Sequence, residues 1–406
     1  MTCQVILGNG HGLAIASDTT VTIDGRSTHD TAQKIHPMRL PHRMAVLHAG
    51  SVNFHGMPYG VLIEEWIHSL GDVQLRYVDA YVNSFVDWLT DNLERISRSE
   101  DRDYHTLYAV RNWIDGLWRR IKTHLETVGE EHHVWATTQF LRGEVERVRD
   151  FSPLDGYGAP EATAAMNYLW TFGGDISISA SIEHWFDDIP RNEEIDQLIH
   201  DYILAGLEKN VAPSGGPATI TFVGFGSEEL YGAKGVINIG GALQGKVARF
   251  KYGVESVIQY SPRQIFDCQG QSEAIYDFLY GYSDSLLNKV GSKIEAPRDS
   301  SSDDESEHAG DMGQLEPLSA VLMREAESES QETRLRSFRA TVSALPILSL
   351  AETARRLVGI QSLDLMIRGE IESVSKQAQT AVITRSDGFK YIDKFFRDKR
   401  PSVAPQ

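Results

Sequence analysis

What this chain lacks narrows its class before any motif is considered. It has two cysteines, Cys3 and Cys268, in 406 residues. Two thiols make neither a disulfide framework nor a CxxC zinc pattern, a usage that fits a reducing, cytoplasmic setting. No apolar run approaches the roughly 18 residues that cross a bilayer, so no spanning helix is expected. Residues Met1 to Gly8 lack a basic segment and hold too short an apolar run for a secretory leader. The mature chain is therefore expected to start at or next to Met1. No GxGxxG and no P-loop lysine motif is present. Positive charge is scarce: 39 Lys and Arg against 57 Asp and Glu give 39 − 57 = −18. Phosphate backbones and anionic membranes both need a positive field, which argues against nucleic acid and membrane surfaces as partners.

Apolar residues make up 41% of the chain, enough for a sizeable core, and the length predicts one large domain or two smaller ones. Cys3–Leu7 and Leu13–Ser17 are short apolar runs around the turn formers Gly8-Asn9-Gly10-His11-Gly12, the pattern of a β-hairpin. Arg43–Ala49 predicts a further strand. Val61 to Leu70, Val78 to Ile96, Leu107 to Leu125 and Ile195 to Leu207 step by three and four, which predicts amphipathic helices with buried stripes. Strands return at Thr219–Gly224 and Gly235–Ile239, then a helix at Ser272–Leu279, a helix at Leu350–Leu365 and a strand at Thr380–Ile383. Residues 295 to 332 carry twelve acidic and two basic side chains. Such a segment buries too little surface to offset chain entropy, so residues 295–336 are expected to form a disordered acidic loop. The order of elements is α+β and lacks strict βαβ alternation.

Residue 2 is Thr. Removal of Met1 places its hydroxyl and a free α-amine on adjacent carbons. The amine titrates at about 8 and can act as general base, so an N-terminal Thr is a self-activating nucleophile. The hairpin returns Asp18 to the vicinity of Thr2. Lys34 precedes the next strand; a lysine favours a deprotonated hydroxyl, and an aspartate orients the lysine. Gly50 ends a strand, where a backbone N–H can serve an oxyanion.

Together, Thr2, Gly10 to Asp18, Lys34-Ile35 and His48-Ala49-Gly50-Ser51 resemble the proteasome β-subunits and bacterial proteasome-like peptidases of the N-terminal nucleophile hydrolase superfamily. Phe222 to Gly226, Gln269 to Ala274 and Glu372 to Ser375 match later family elements, while residues 100 to 215 look like an added helical insertion. The resemblance implies a four-layer αββα sandwich with 1–98 as its first half, 99–215 as the insertion, and 216–290 with 338–396 as the remainder. It implies a threonine-type peptidase or amide hydrolase, with a catalytically inactive structural or binding subunit and a small-molecule amidase as the alternatives. Thr2 would be the nucleophile, Asp18 and Lys34 would tune it, and Gly50 would donate to the oxyanion. Glu372 and Ser375 would support the Thr2 amine, and Thr22 and His48 would bind substrate. No metal or cofactor is implied. The implied partners are unfolded polypeptide or peptide, a homo-oligomeric ring and an ATP-dependent unfoldase. The chain departs from the family pattern where Gln269 replaces a serine, Glu372 an aspartate and Thr20 an arginine. Cys3 reads as a small buried hydrophobe beside the nucleophile. His132-His133 lacks the carboxylate and spacing of a metal site.

Overall fold

The computed structural model describes residues 2–23, 27–29, 32–151, 158–209, 217–243, 245–261, 263–281, 334–369, 374 and 378–392. The expected acidic loop lies outside the described residues except for 334–336. The described chain opens with strands β1 (Cys3–Asn9), β2 (Gly12–Asp18), β3 (Val21–Ile23), β4 (Ser27–His29), β5 (Ile35–Pro37), β6 (Arg43–Gly50), β7 (Asn53–Phe54) and β8 (Met57–Pro58). Helices follow: α1 (Tyr59–Leu70), α2 (Val78–Asp91), α3 (Leu93–Ile96), α4 (Ser99–Leu125), α5 (His133–Arg149), α6 (Ala159–Leu169), α7 (Ile178–Phe186) and α8 (Glu193–Lys209). Next come β9 (Ala218–Phe225), β10 (Ala233–Leu243), β11 (Lys246–Ser256), β12 (Ile265–Gly270) and α9 (Glu273–Tyr280). The described chain ends with α10 (Arg336–Ala344), α11 (Ile347–Arg368), β13 (Ala378–Thr384) and β14 (Gly388–Tyr391). These elements make an α+β chain with antiparallel sheets, divided into two compact units: Met1–Ala32 with Ser256–Thr384 and Lys390–Gln406, and Gln33–Glu255 with Arg385–Phe389.

The first unit is organised by the β1–β2 hairpin. Asn9 makes its turn: the Asn9 Oδ1 accepts the His11 N–H at 2.8 Å, and its Nδ2 donates to the Val342 and Leu345 carbonyls. The side chain thus mimics a backbone turn. Gly12, at φ +148°, lets β13 approach, because a Cβ there would lie 2.6 Å from the Ile383 carbonyl oxygen. β12 pairs with β1 and β13 with β2, both antiparallel. Every residue of β1 and β2 is buried, so both faces are covered, which is why the sequence shows a continuous apolar run. One face sets Cys3, Val5, Leu7, Ala14 and Ala16 into a core with Leu350, Ala354, Leu357 and Val358 of α11. Each fully buried leucine there contributes about 1.5–3 kcal/mol.

The second unit holds a sheet of order β11–β10–β9–β6–β5. Trp66 of α1 and Phe85 of α2 pack on Phe222 of β9, with Trp66–Phe222 centroids 5.5 Å apart and nearly perpendicular. α4 to α8 enclose a core of their own. Leu107, Val110, Ile114, Leu117 and Ile121 of α4 form the stripe its periodicity predicts, and Ile195, Ile199, Ile203 and Leu207 of α8 answer it.

Candidate functional site

The structure places Thr2 and Asp18 side by side in the first unit. Asp18 ends β2, and its Oδ1 accepts the Cys3 N–H at 2.8 Å while its Oδ2 accepts the Thr20 N–H at 3.1 Å. The carboxylate is fully buried. It therefore fixes the backbone immediately after Thr2. The Thr2 carbonyl is fixed as well, accepting the Gln271 N–H at 2.7 Å. The chain approaches so closely that a Cβ at Gly270 would lie 1.8 Å from the Thr2 oxygen, and Gly270 has φ +75°. Only glycine fits there. Cys3 is fully buried among apolar neighbours, as its sequence setting predicts.

Lys34, His48 and Gly50 belong to the second unit. β5 pairs with β6 in the register Ile35↔Leu47 and His36↔Val46, and continuing that register sets Lys34 across from His48. Lys34 is 3% exposed. Half-buried His48 lies diagonally from His36, and the two rings share a 3.2 Å contact between His36 Nε2 and His48 Nδ1. Burial first, then the His36 ring and the Lys34 ammonium, push the His48 imidazole down to about 3, so it is neutral at physiological pH. On its other side, His36 Nδ1 stands 3.6 Å from Glu64 Oε1, and the His36 ring holds that carboxyl below its usual range. Sequence reasoning missed His36 and Glu64. The available signal was the period of two that puts Lys34 and His36 on one face of a strand. Gly50 takes φ +80° at the end of β6, where a Cβ would lie 2.4 Å from the Pro217 carbonyl oxygen. That carbonyl accepts the Ser51 N–H at 3.3 Å.

The remaining expected site residues are placed as follows. Thr22 lies on β3, paired with Thr28 of β4. Glu372 and Ser375 lie outside the described residues. Gln269, at the site of the missing hydroxyl, donates its Nε2–H to Asp267 Oδ2 at 3.0 Å. His133 Nε2 stands 3.1 Å from the Val128 carbonyl oxygen. Among the described residues, no group of three or more His, Cys, Asp or Glu could hold a metal ion. None of the described helices is long and apolar enough to cross a membrane.

No protein-family model matches the chain, and no curated protein matches it. Solved structures do. One is titled Anbu (ancestral beta-subunit) from Yersinia bercovieri: 10% identical, covering 98% of this chain and 91% of that one, at a TM-score of 0.29. Another is an Anbu (Gly-1) mutant from Hyphomicrobium sp. strain MC1: 11% identical, with the same coverage, at a TM-score of 0.28. Scores this low carry no argument about fold or activity. With no family model and no curated protein matching, the family resemblance drawn from the sequence is corrected: the chain is not placed among the proteasome β-subunit-like peptidases of the N-terminal nucleophile superfamily. The physical reason is that the matching residues are short runs specifying a hairpin, strand ends and turns. Such elements are local solutions open to many folds, so their residues do not carry a family.

Proposed function

We propose that the chain is an amide hydrolase that uses Thr2 as its nucleophile once Met1 is removed. The observation that carries this reading is the double anchoring of Thr2, by the Asp18 carboxylate through the Cys3 N–H and by the Gln271 N–H through the Thr2 carbonyl. Both bonds grip the single Thr2–Cys3 peptide unit, so the backbone that carries the nucleophile loses little orientational freedom on attack. The α-amine takes the hydroxyl proton, Oγ adds to the carbonyl carbon, and the same amine protonates the leaving group. Water then hydrolyses the acyl-enzyme, with the amine again as base. Lys34 supports the developing negative charge, Gly50 donates to the oxyanion, and Thr22 and His48 bind substrate. Glu372 and Ser375 support the amine. Peptide is the proposed substrate, in a cytoplasmic homo-oligomeric ring to which an ATP-dependent unfoldase delivers unfolded chains.

The test combines intact mass with a substitution panel. A preparation lacking Met1 should cleave amide substrates. Thr2→Ala should abolish cleavage with circular dichroism unchanged, while Cys3→Ala should retain it. Lys34→Ala should slow turnover by on the order of a hundredfold, or about 2.7 kcal/mol of barrier. A chain that keeps Met1 in its folded form, or a Thr2→Ala variant with full activity, overturns the reading.

A further inference from the structure

The β7–β8 hairpin turns through His55 and Gly56, with Phe54 opposite Met57. Both turn residues have positive φ, +48° and +85°. That is the backbone of a two-residue type I′ turn, whose preferred pairs are Asn-Gly, Asp-Gly and Gly-Gly. A histidine in the first of these positions needs a reason in its ring. The ring is buried, and its Nε2 accepts the Ala242 N–H of β10 at 2.6 Å. Burial, with His105 and Arg102 beside it, pushes the imidazole down to about 4, so it is neutral at physiological pH. A peptide N–H can only donate. Nε2 therefore carries no proton, and the single ring hydrogen sits on Nδ1. That Nδ1 is buried and has no hydrogen-bond partner among the described residues. A buried donor left unmet destabilises the fold and calls for an acceptor from outside it.

The ring borders a cavity of about 280 Å³ in the second unit, lined by His55, Ser97, Asp101, Tyr104, His105 and Tyr108. The lining restricts what can enter. A metal ion on Nδ1 would require an imidazolate, since Nε2 already accepts. An anion would meet the Asp101 carboxylate. A cation would meet the Nδ1 hydrogen and the field of Arg102. An uncharged amide suits both ends, because it accepts through its carbonyl and donates through its N–H. The tyrosine and imidazole rings offer planar faces to an aromatic partner. The volume lies just below the usual range for ligand pockets, which suits a single ring rather than a stretch of peptide.

We propose that this cavity binds a small uncharged aromatic amide, its carbonyl accepting the His55 Nδ1–H and its N–H donating to the Asp101 carboxylate, with the exposed His105 ring turning aside to admit it. The His105 ring lies edge-on to His55, with centroids 5.7 Å apart. The site belongs to the second unit alone and does not rest on the Thr2 reading.

Three probes of one shape separate the chemistries. Benzamide accepts and donates, benzoate is an anion that only accepts, and benzamidinium is a cation that only donates. Each is titrated into the full chain, labelled at histidine, and followed by two-bond proton–nitrogen NMR. The free chain should show His55 protonated at Nδ1 near neutral pH. Benzamide should bind in the millimolar range or tighter and shift that resonance, with both charged probes at least about tenfold weaker. His55→Asn keeps a preferred turn residue before Gly56 and removes the ring, so it should fold and lose benzamide. Asp101 is exposed, so Asp101→Ala should fold as well. It should weaken benzamide about tenfold and bring benzoate level with it, an exchange of preference that a merely structural role would not produce. His55 protonated at Nε2, no benzamide shift at His55, charged probes that bind as well as benzamide, or full binding by either variant overturns the site.

Discussion

At the scale of single residues, backbone hydrogen bonds fix the peptide that follows Thr2. Asp18 is positioned to orient Thr2, and its carboxylate accepts two peptide N–H groups, of Cys3 and Thr20. Asp18→Ala leaves two buried donors without those acceptors. At about 1–3 kcal/mol for each unsatisfied group, the variant should lose roughly 2–6 kcal/mol of stability, read as the midpoint shift in urea. Asp18→Asn keeps one accepting oxygen and should lose less. An Asp18→Ala chain as stable as wild type would sink this account of the carboxylate. The aspartate was legible in the sequence because a hairpin of known length returns to its start. Gly270 was not, because its need for glycine comes from the approach of a strand far along the chain.

At the scale of elements, the hydrophobic period of three and four located α1, α2, α4 and α8, whose buried stripes face one side. The same period gives no strong stripe for α5, α6 and α7, since their buried positions include the small or polar Thr137, Thr138, Ala162, Ala165 and Ser181. Small buried residues let helices approach closely, and Gly206 of α8 is the extreme case. A Cβ there would lie 1.1 Å from Cη2 of Trp113, which also packs on Tyr202 with centroids 4.5 Å apart. Alanine is the better helix former by about 1 kcal/mol, so propensity alone predicts that Gly206→Ala stabilises. Overpacking predicts a net loss of roughly 1–3 kcal/mol. Thermal unfolding decides the sign, and pairing Gly206→Ala with Trp113→Leu should recover part of the loss, because the two sites share one contact.

At the scale of the whole molecule, buried histidines couple stability to pH. Burial pushes His48 down to about 3, with help from His36 and Lys34. Burial, with the neighbouring His105 and Arg102, likewise pushes His55 down to about 4, and the His55 Nε2 accepts the Ala242 N–H at 2.6 Å. Both groups start from 6.5 when unfolded. Between those values and 6.5, the unfolded chain binds more protons than the folded one, so stability rises with pH. The contribution is complete above about 6.5 and is lost as pH falls toward 4 and then 3. Each group adds a slope of up to about 1.4 kcal/mol per pH unit in its window. Urea midpoints from pH 7 downward should show this fall, and His55→Gln should flatten it by one group's share. An unchanged slope in that variant would show that His55 does not carry the coupling.

Local chemistry was legible in the sequence by itself: the hairpin and its turn formers, the strand ending at Gly50, the apolar helical stripes, the buried character of Cys3 and the return of Asp18 to Thr2. These follow from side-chain period and turn residues, which act over a few positions. The sequence also offered a family, and that proved too much to draw from a few short motifs. Only the tertiary structure decided the rest. It turned the Asp18 carboxylate toward peptide N–H groups, brought β12 against β1 so that Gly270 abuts the Thr2 carbonyl, and aligned β5 with β6 so that His36, His48 and Lys34 meet. It also set Trp113 into the space left by Gly206. These contacts depend on register and on close approach between distant segments, and no local pattern encodes either.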